Sequence, residues 1–210
     1  MPGSYNLPIF AEIGRKVVHL LGVIIPIIYH FTDKKTMTTI IAILLITSFC
    51  MDKLRVKFNV TNHPFSKKIG LFKIFRIHEQ NSFSALTFAF IGMIICVVIS
   101  SKPVFNLAVS ILILSDTIAA IVGILFGIHK INGKSVEGSI SFFLTSCILS
   151  LVITAIYGES FGFLLAAIFS SLIATFAELF SKNNYLNDNM SIPISVSVVM
   201  CILESIRNLP

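Results

Sequence analysis

Seven apolar runs occupy most of this chain, at roughly 13–31, 36–51, 83–100, 104–128, 140–157, 161–180 and 189–205. About 20 mostly apolar residues cross the hydrocarbon core of a bilayer as a helix. The runs therefore predict an all-α, polytopic transmembrane helix bundle of about seven spans. The range is six to eight, because the second, fifth and last runs are short. Only 12% of the residues are charged and 55% are hydrophobic, against about 25% charged in an ordinary soluble domain. The spans leave no room for a separate soluble domain. The chain reads as one integral-membrane domain, 1–210, with any chemistry in the bundle or at its face.

The first apolar run comes after a mixed polar segment and not a basic stretch with a small-residue cleavage site. It is expected to stay in the protein as a span. Cys50, Cys96, Cys147 and Cys201 each lie alone in an apolar run, which indicates inert thiols and neither a zinc site nor a disulfide framework.

The net charge of +6 concentrates in loop 52–82, where Lys53, Arg55, Lys57, Lys67, Lys68, Lys73 and Arg76 face only Asp52 and Glu79. The positive-inside rule makes this loop cytoplasmic. Anionic lipid headgroups are the expected partner of so basic a membrane segment, and nucleic acid is not. Alternation then puts the N-terminus and the loops 129–139 and 181–190 inside. Lys34 and Lys35 fall outside and count against this arrangement. Under it, nearly every unusual polar residue reaches one cytoplasm-facing end of the bundle.

Asp116 lies within the fourth run. A carboxylate at membrane depth costs about 2.5 to 3.5 kcal/mol on insertion scales and marks a functional site by default. Ala120, Gly123 and Gly127 share its helix face and let another helix or a ligand come close. Asp116 is expected to bind Mg²⁺ or accept a proton. Glu12, Arg15, Lys16 and His19 have i, i+3, i+4, i+7 spacing and form one polar stripe. Arg15 and Lys16 suit phosphate, with Glu12 holding one of them. Snorkelling would explain those two cations but not His19, which lies deeper.

After the fourth run comes the loop Gly133-Lys134-Ser135-Val136-Glu137-Gly138-Ser139. Its GKS looks like the end of a P-loop, but the required earlier glycine is replaced by Ile128, and the loop comes after a membrane helix and not a strand. A P-loop ATPase is excluded. Phosphate chemistry survives the exclusion. Glycines expose backbone N–H groups, a helix beginning near Glu137 to Ser139 favours anions at its N-terminus, and Lys134 supplies a point charge. Asp188 and Asn189 before Pro193, together with Glu178, add polar groups at the same end.

Taken in order, E-x-x-R-K-x-x-H (Glu12 to His19), D-x-x-A-x-x-x-G-x-x-x-G (Asp116 to Gly127), K-S-x-E-G-S (Lys134 to Ser139) and the late Asp188, Asn189, Pro193 resemble the family of phytol kinases, dolichol kinases and CTP-dependent diacylglycerol kinases. The resemblance implies transfer of the terminal phosphate of a nucleotide, usually CTP, to the hydroxyl of an isoprenoid alcohol or diacylglycerol. It implies Mg²⁺ on Asp116 with Glu137 or Asp188. Arg15, Lys16, His19, Lys134, Ser135, Gly138 and Ser139 would bind nucleotide phosphates. Asp116, Lys134 and Glu137 would be catalytic, with Asp116 or Glu137 acting on the alcohol. Glu12, Glu79, Gly123, Gly127, Glu178 and Asn189 would support the site. The chain lacks the extra N-terminal helices of dolichol kinases, which argues against dolichol. The rival readings are a CTP-dependent phosphatidate cytidylyltransferase and, from another class, a small transporter. The sequence leaves homo-oligomerisation open.

Overall fold

The computed structural model describes residues 15–16, 19–60, 82–181 and 187–207. Glu12, Glu79 and the greater part of the basic loop lie outside the described residues. The elements are α1 (Ile24–Phe31), α2 (Lys34–Lys57), α3 (Ala85–Ile99), α4 (Lys102–Ser110), a π-helical turn (Ile111–Ser115), α5 (Asp116–Phe126), strands β1 (Lys130–Ile131) and β2 (Lys134–Ser135), α6 (Val136–Tyr157), α7 (Phe161–Phe180) and α8 (Asp188–Arg207). Among the described residues five helices are long and apolar enough to cross a membrane: Lys34–Lys57, Lys102–Phe126, Val136–Tyr157, Phe161–Phe180 and Asp188–Ile206. Leu21–Phe31 and Ala85–Ile99 are shorter.

Side-chain caps start four of these helices. Asp33 accepts from Thr36 N at 3.1 Å, Ser84 from Thr87 N at 3.5 Å, Ser135 from Gly138 N at 3.1 Å and Ser160 from Phe163 N at 3.3 Å. Each satisfies a backbone N–H that the first helical turn leaves unpaired. Gly158 ends α6 in the left-handed region, at φ +63°, where glycine carries no steric penalty. Proline acts twice inside helices. Pro26 offers no N–H to the Gly22 carbonyl, and the chain before α1 tightens into a 3₁₀ turn at Leu21–Val23. Pro193 likewise frees the Asn189 carbonyl in the first turns of α8, where Gly92 of α3 packs. A Cβ on Gly92 would come within 3.1 Å of Pro193 and 3.3 Å of that carbonyl.

The unit α4–π–α5 is the axis of the bundle. Half of its span is buried, against 22–33% for the other four. Val104, Phe105, Leu107, Ala108, Val109, Ile111 and Leu112 are fully enclosed. α8 packs on α7, α3 and α4; α6 packs on α5, α7 and α4; α2 packs on α3; and α1 packs on α4. Outward faces carry exposed Ile43, Leu144, Ile148, Leu165 and Phe169. A soluble monomer rarely shows so continuous an apolar surface.

Two boundaries differ from the sequence reading. α2 runs on to Lys57, so Asp52, Lys53, Arg55 and Lys57 sit on a helix and not in a loop. The polar loop after α5 is a hairpin, with Lys130 opposite Ser135 and Ile131 opposite Lys134. Its turn is Asn132-Gly133, both at positive φ (53° and 89°), as the preferred two-residue hairpin turn requires.

Candidate functional site

Asp116 stands directly after the π turn. Such a turn inserts one residue into the α-helical ladder and is frequent at functional sites. The insertion rotates α5 relative to α4 by about 100°, the step of one residue in a 3.6-residue turn. It also disturbs backbone pairing, and here side chains meet the carbonyls concerned. His19 Nε2 donates to Leu112 O at 3.1 Å, and Thr117 Oγ1 donates to Ile113 O at 2.6 Å. His19 Nε2 also lies 3.8 Å from the Asp116 carboxylate. Lys16 Nζ bonds both the main-chain carbonyl and the carboxylate of Asp116. Lys16 and His19, two residues of the predicted polar stripe, thus meet the membrane-depth acid directly. Asp116 is itself buried, so its charge is neutralised by a neighbour and not by water.

A second cluster gathers three elements. Lys134, at the start of β2, reaches Glu178 Oε1 at 2.7 Å near the end of α7, and Asp188 Oδ2 at 3.3 Å at the start of α8. It also donates to Ser181 Oγ at 3.3 Å, while Ser139 Oγ donates to Glu178 Oε2 at 3.1 Å. Burial works to lower the pKa of Lys134, but the charges of Asp188, Glu178 and Asp116 outweigh it and the net shift is upward. Asp188 Oδ1 accepts from the backbone and side-chain nitrogens of Asn189, both at 3.1 Å.

The two clusters meet at a cavity of about 590 Å³, within the range of small-molecule sites. Arg15, Lys16, His19, Asp116, Asp188 and Asn189 give it charged and polar walls. Met51 and Leu54 of α2, Phe58 just after it, and Leu86, Phe90 and Met93 of α3 give it an apolar one. A ligand with an anionic head and an apolar body matches these walls.

Several expected residues stand elsewhere. Glu137 does not join the acidic cluster. Its carboxylate accepts from the backbone of Ile128 and His129 at 3.1 and 3.2 Å and from the His129 ring at 2.8 Å, which ties α6 to the hairpin. Ser135 is the cap of α6, and the Gly138 N–H expected to meet phosphate is the group it caps. The glycines serve helix packing. A Cβ on Gly123 would come within 2.8 Å of Ser135 Oγ, and one on Gly138 within 2.8 Å of Ala119 O. Ser139 is held by Glu178.

Sequence reading counted Asp52 and Arg55 only among the charges of a basic loop and did not single out Ser84 or Thr87. Asp52 Oδ1 accepts from Arg55 Nε and Nη2 at 3.3 and 3.0 Å. Its Oδ2 accepts from Ser84 N, Ser84 Oγ and Thr87 Oγ1 at 2.8, 2.8 and 2.7 Å. Asp52, Arg55 and Ser84 line the cavity. Their signal was an acid three residues before an arginine, spacing that brings the two together only on a helix.

Among the described residues no three acids, histidines or cysteines are grouped to hold a metal ion. Asp116 and Asp188 face one cavity, each with a lysine. One or two carboxylates plus substrate phosphates is the usual setting of Mg²⁺. The residues fit a metal that arrives with a phosphate ligand, not a cage made by protein alone.

No family model matches the chain, and no solved structure matches it. It is 31% identical to "Uncharacterized protein RP860" of Rickettsia prowazekii (strain Madrid E), over 88% of this chain and 90% of that protein. The chain belongs to the family of that protein. It is also 27% identical to "Uncharacterized protein MJ1137" of Methanocaldococcus jannaschii, over 90% and 92% of the two lengths. Both matches run nearly end to end, so what is shared is the bundle as a whole.

Proposed function

We propose that the protein is an integral membrane lipid kinase that transfers the terminal phosphate of a nucleotide to the hydroxyl of an isoprenoid alcohol or diacylglycerol. The observation that carries this reading is the cavity, where Asp116 at membrane depth stands with Arg15, Lys16 and His19 opposite an apolar wall. The motif resemblance supplies CTP as the nucleotide. We read the two shorter helices as further crossings, which makes seven spans with the cavity and the N-terminus on the cytoplasmic side. The basic residues after α2 support that orientation. They also supply the surface for anionic headgroups.

In this mechanism the lipid lies along α2 and α3 with its hydroxyl toward Asp116. Arg15, Lys16 and His19 hold the phosphates. Phosphoryl transfer needs mainly alignment and charge stabilisation from its site. The alcohol oxygen forms a bond to the terminal phosphorus as the bond to the bridging oxygen breaks. Asp116 orients the hydroxyl by accepting its hydrogen bond, the proton passes to an oxygen of the transferred phosphoryl group, and the nucleoside diphosphate leaves. Glu137 is occupied by His129, so the role on the alcohol falls to Asp116. Lys134 is a positioning residue that holds Asp188 and Glu178. Mg²⁺, held by Asp116 and Asp188 when it comes with the nucleotide, would supply charge neutralisation on the phosphates.

The test is purified protein in detergent with Mg²⁺ and γ-labelled CTP or ATP, offered diacylglycerol, undecaprenol, phytol and geranylgeraniol. Label in an organic-phase product supports the reading and names both substrates. Pyrophosphate release with phosphatidate would replace it with cytidylyl transfer. Nucleotide-independent flux in proteoliposomes would replace it with transport.

A further inference from the structure

Asn189 stands in the first turn of α8 and is only 8% exposed, yet it keeps one acceptor open. Its Nδ2 donates to Asn187 Oδ1 at 3.0 Å and to Asp188 Oδ1 at 3.1 Å. Its backbone N–H reaches the same two oxygens, at 3.0 and 3.1 Å. These bonds fix the orientation of the amide. Turned over, it would set Oδ1 against two oxygens that have no proton to give. Among the described residues Oδ1 has no hydrogen-bond partner. Both nitrogens are turned back on Asn187 and Asp188, so Oδ1 is the polar atom left to face the cavity that Asn189 lines. A buried side chain with an unsatisfied acceptor calls for a ligand there.

The chemistry of the cavity limits what that ligand is. Phosphate oxygens are acceptors themselves and would be repelled. The lipid alcohol has one hydroxyl proton, and Asp116 takes that hydrogen bond. Lys16 and Lys134 already have carboxylate partners. A metal cation remains. Mg²⁺ takes hard oxygen ligands, carbonyls as well as carboxylates, and protein kinases hold it with an aspartate and an asparagine. The position also suits it. Asp116 lines the same cavity, and α8 packs against the π turn directly before Asp116. Lys134 feels the charges of both Asp116 and Asp188.

We propose that Asn189 Oδ1 is a ligand of the Mg²⁺ that arrives with the nucleotide, joining Asp116 and Asp188 at the ion. The proposal rests on reading the cavity as a phosphotransfer site. Phosphate oxygens and water fill the rest of the coordination shell, as is usual for Mg²⁺. Asp188 has a second part, because its Oδ1 helps hold the Asn189 amide in place.

Binding of inorganic tripolyphosphate to the full chain in detergent, measured by calorimetry with Mg²⁺ and again with EDTA, tests the proposal without turnover. Mg²⁺ should tighten binding by the parent chain. Asn189→Leu removes the oxygen at similar size. It should weaken binding in Mg²⁺ by about 10-fold or more, since losing even an outer partner of a metal site costs about 10- to 100-fold. Binding in EDTA, which the cavity's cations supply, should not change. Asn189→Cys, with the four native cysteines replaced by serine, should lose the gain with Mg²⁺ and recover it with Cd²⁺, because sulfur is a poor ligand for the hard ion and a good one for the soft. A helix-capping or packing role would not respond to the identity of the ion. The cysteine variant therefore carries the decision if the leucine variant misfolds. Folded Asn189→Leu that keeps the full Mg²⁺-dependent gain would overturn the proposal, give the oxygen to water and leave the phosphotransfer reading intact. So would equal weakening in Mg²⁺ and in EDTA, or a folded cysteine variant that Cd²⁺ does not restore. No Mg²⁺-dependent binding by the parent chain would overturn both readings.

Discussion

At one end of the bundle Lys34 donates to the carbonyls of Val98 and Ser100 at 2.8 and 3.2 Å, and Lys102 lies 5.3 Å from the Tyr29 ring centroid. His30 meets the Tyr157 hydroxyl at 3.2 Å nearby. At the other end Lys16 and Lys134 pair with Asp116, Glu178 and Asp188 around a cavity. Lysine is common to both ends and its use differs. The first end turns cations onto carbonyls left open where α3 stops, which closes the structure. The second sets cations against carboxylates that an arriving anion or metal can compete for. The contrast also explains Lys34, whose position counts against the proposed orientation on charge alone. It has a capping partner on the far side and needs no cytoplasmic one.

The comparison breaks first at Asp116. Asp116→Asn keeps the shape and removes the charge; phosphoryl transfer should fall about 10²- to 10³-fold, the usual effect of losing one pre-organised charge-stabilising group. Unchanged turnover in the same detergent preparation would remove Asp116 from the chemistry. Lys134→Met comes next. It leaves two carboxylates without their cation, and breaking a buried pair costs about 3 kcal/mol or more, read as a lower unfolding temperature.

The same residue gives a pH test. Its pKa is raised in the folded protein, so its stabilisation is complete below the ordinary lysine value of about 10.4 and is lost as pH rises through the folded value. Thermal stability should therefore show a Lys134-dependent fall only in the alkaline range, and Lys134→Met should abolish that fall. A Lys134-dependent change near neutrality would contradict the pairing.

Gly123→Ala sharpens the distinction between packing and binding. Its Cβ would press on Ser135 Oγ at 2.8 Å, and overpacking of this kind costs about 1–3 kcal/mol. Stability should drop, while the nucleotide KM of the remaining folded protein should not move. The smallest effect belongs to the far end. Lys34→Ala should lower stability by under about 1 kcal/mol, as expected for an exposed donor, and leave turnover unchanged.

The helices were legible because long apolar runs permit little else, and so was the meeting of polar residues at one end. Lys16, His19 and Asp116 were each singled out, but their direct contact depends on a π turn in Ile-Leu-Ile-Leu-Ser that no residue type announces. The hairpin was legible in Asn132-Gly133, and the P-loop comparison drew attention instead to Gly133-Lys134-Ser135. Glu137 could not be separated from Asp188 by sequence. Both are acids at helix starts, and only the fold gives one to His129 and the other to Lys134. Asp52 and Arg55 were hidden by the basic residues around them, which read as a cytoplasmic loop against lipid headgroups, whereas α2 continues through them.

The most direct measurement compares the two ends themselves. In a background with the four native cysteines replaced by serine, Leu86→Cys on the cavity wall and Phe31→Cys at the opposite end would each be labelled with a maleimide, with and without Mg²⁺ and CTP. Slower labelling at position 86 and an unchanged rate at 31 is the predicted result. Equal rates at 86 with and without nucleotide, in protein that remains folded, would contradict the assignment of the cavity.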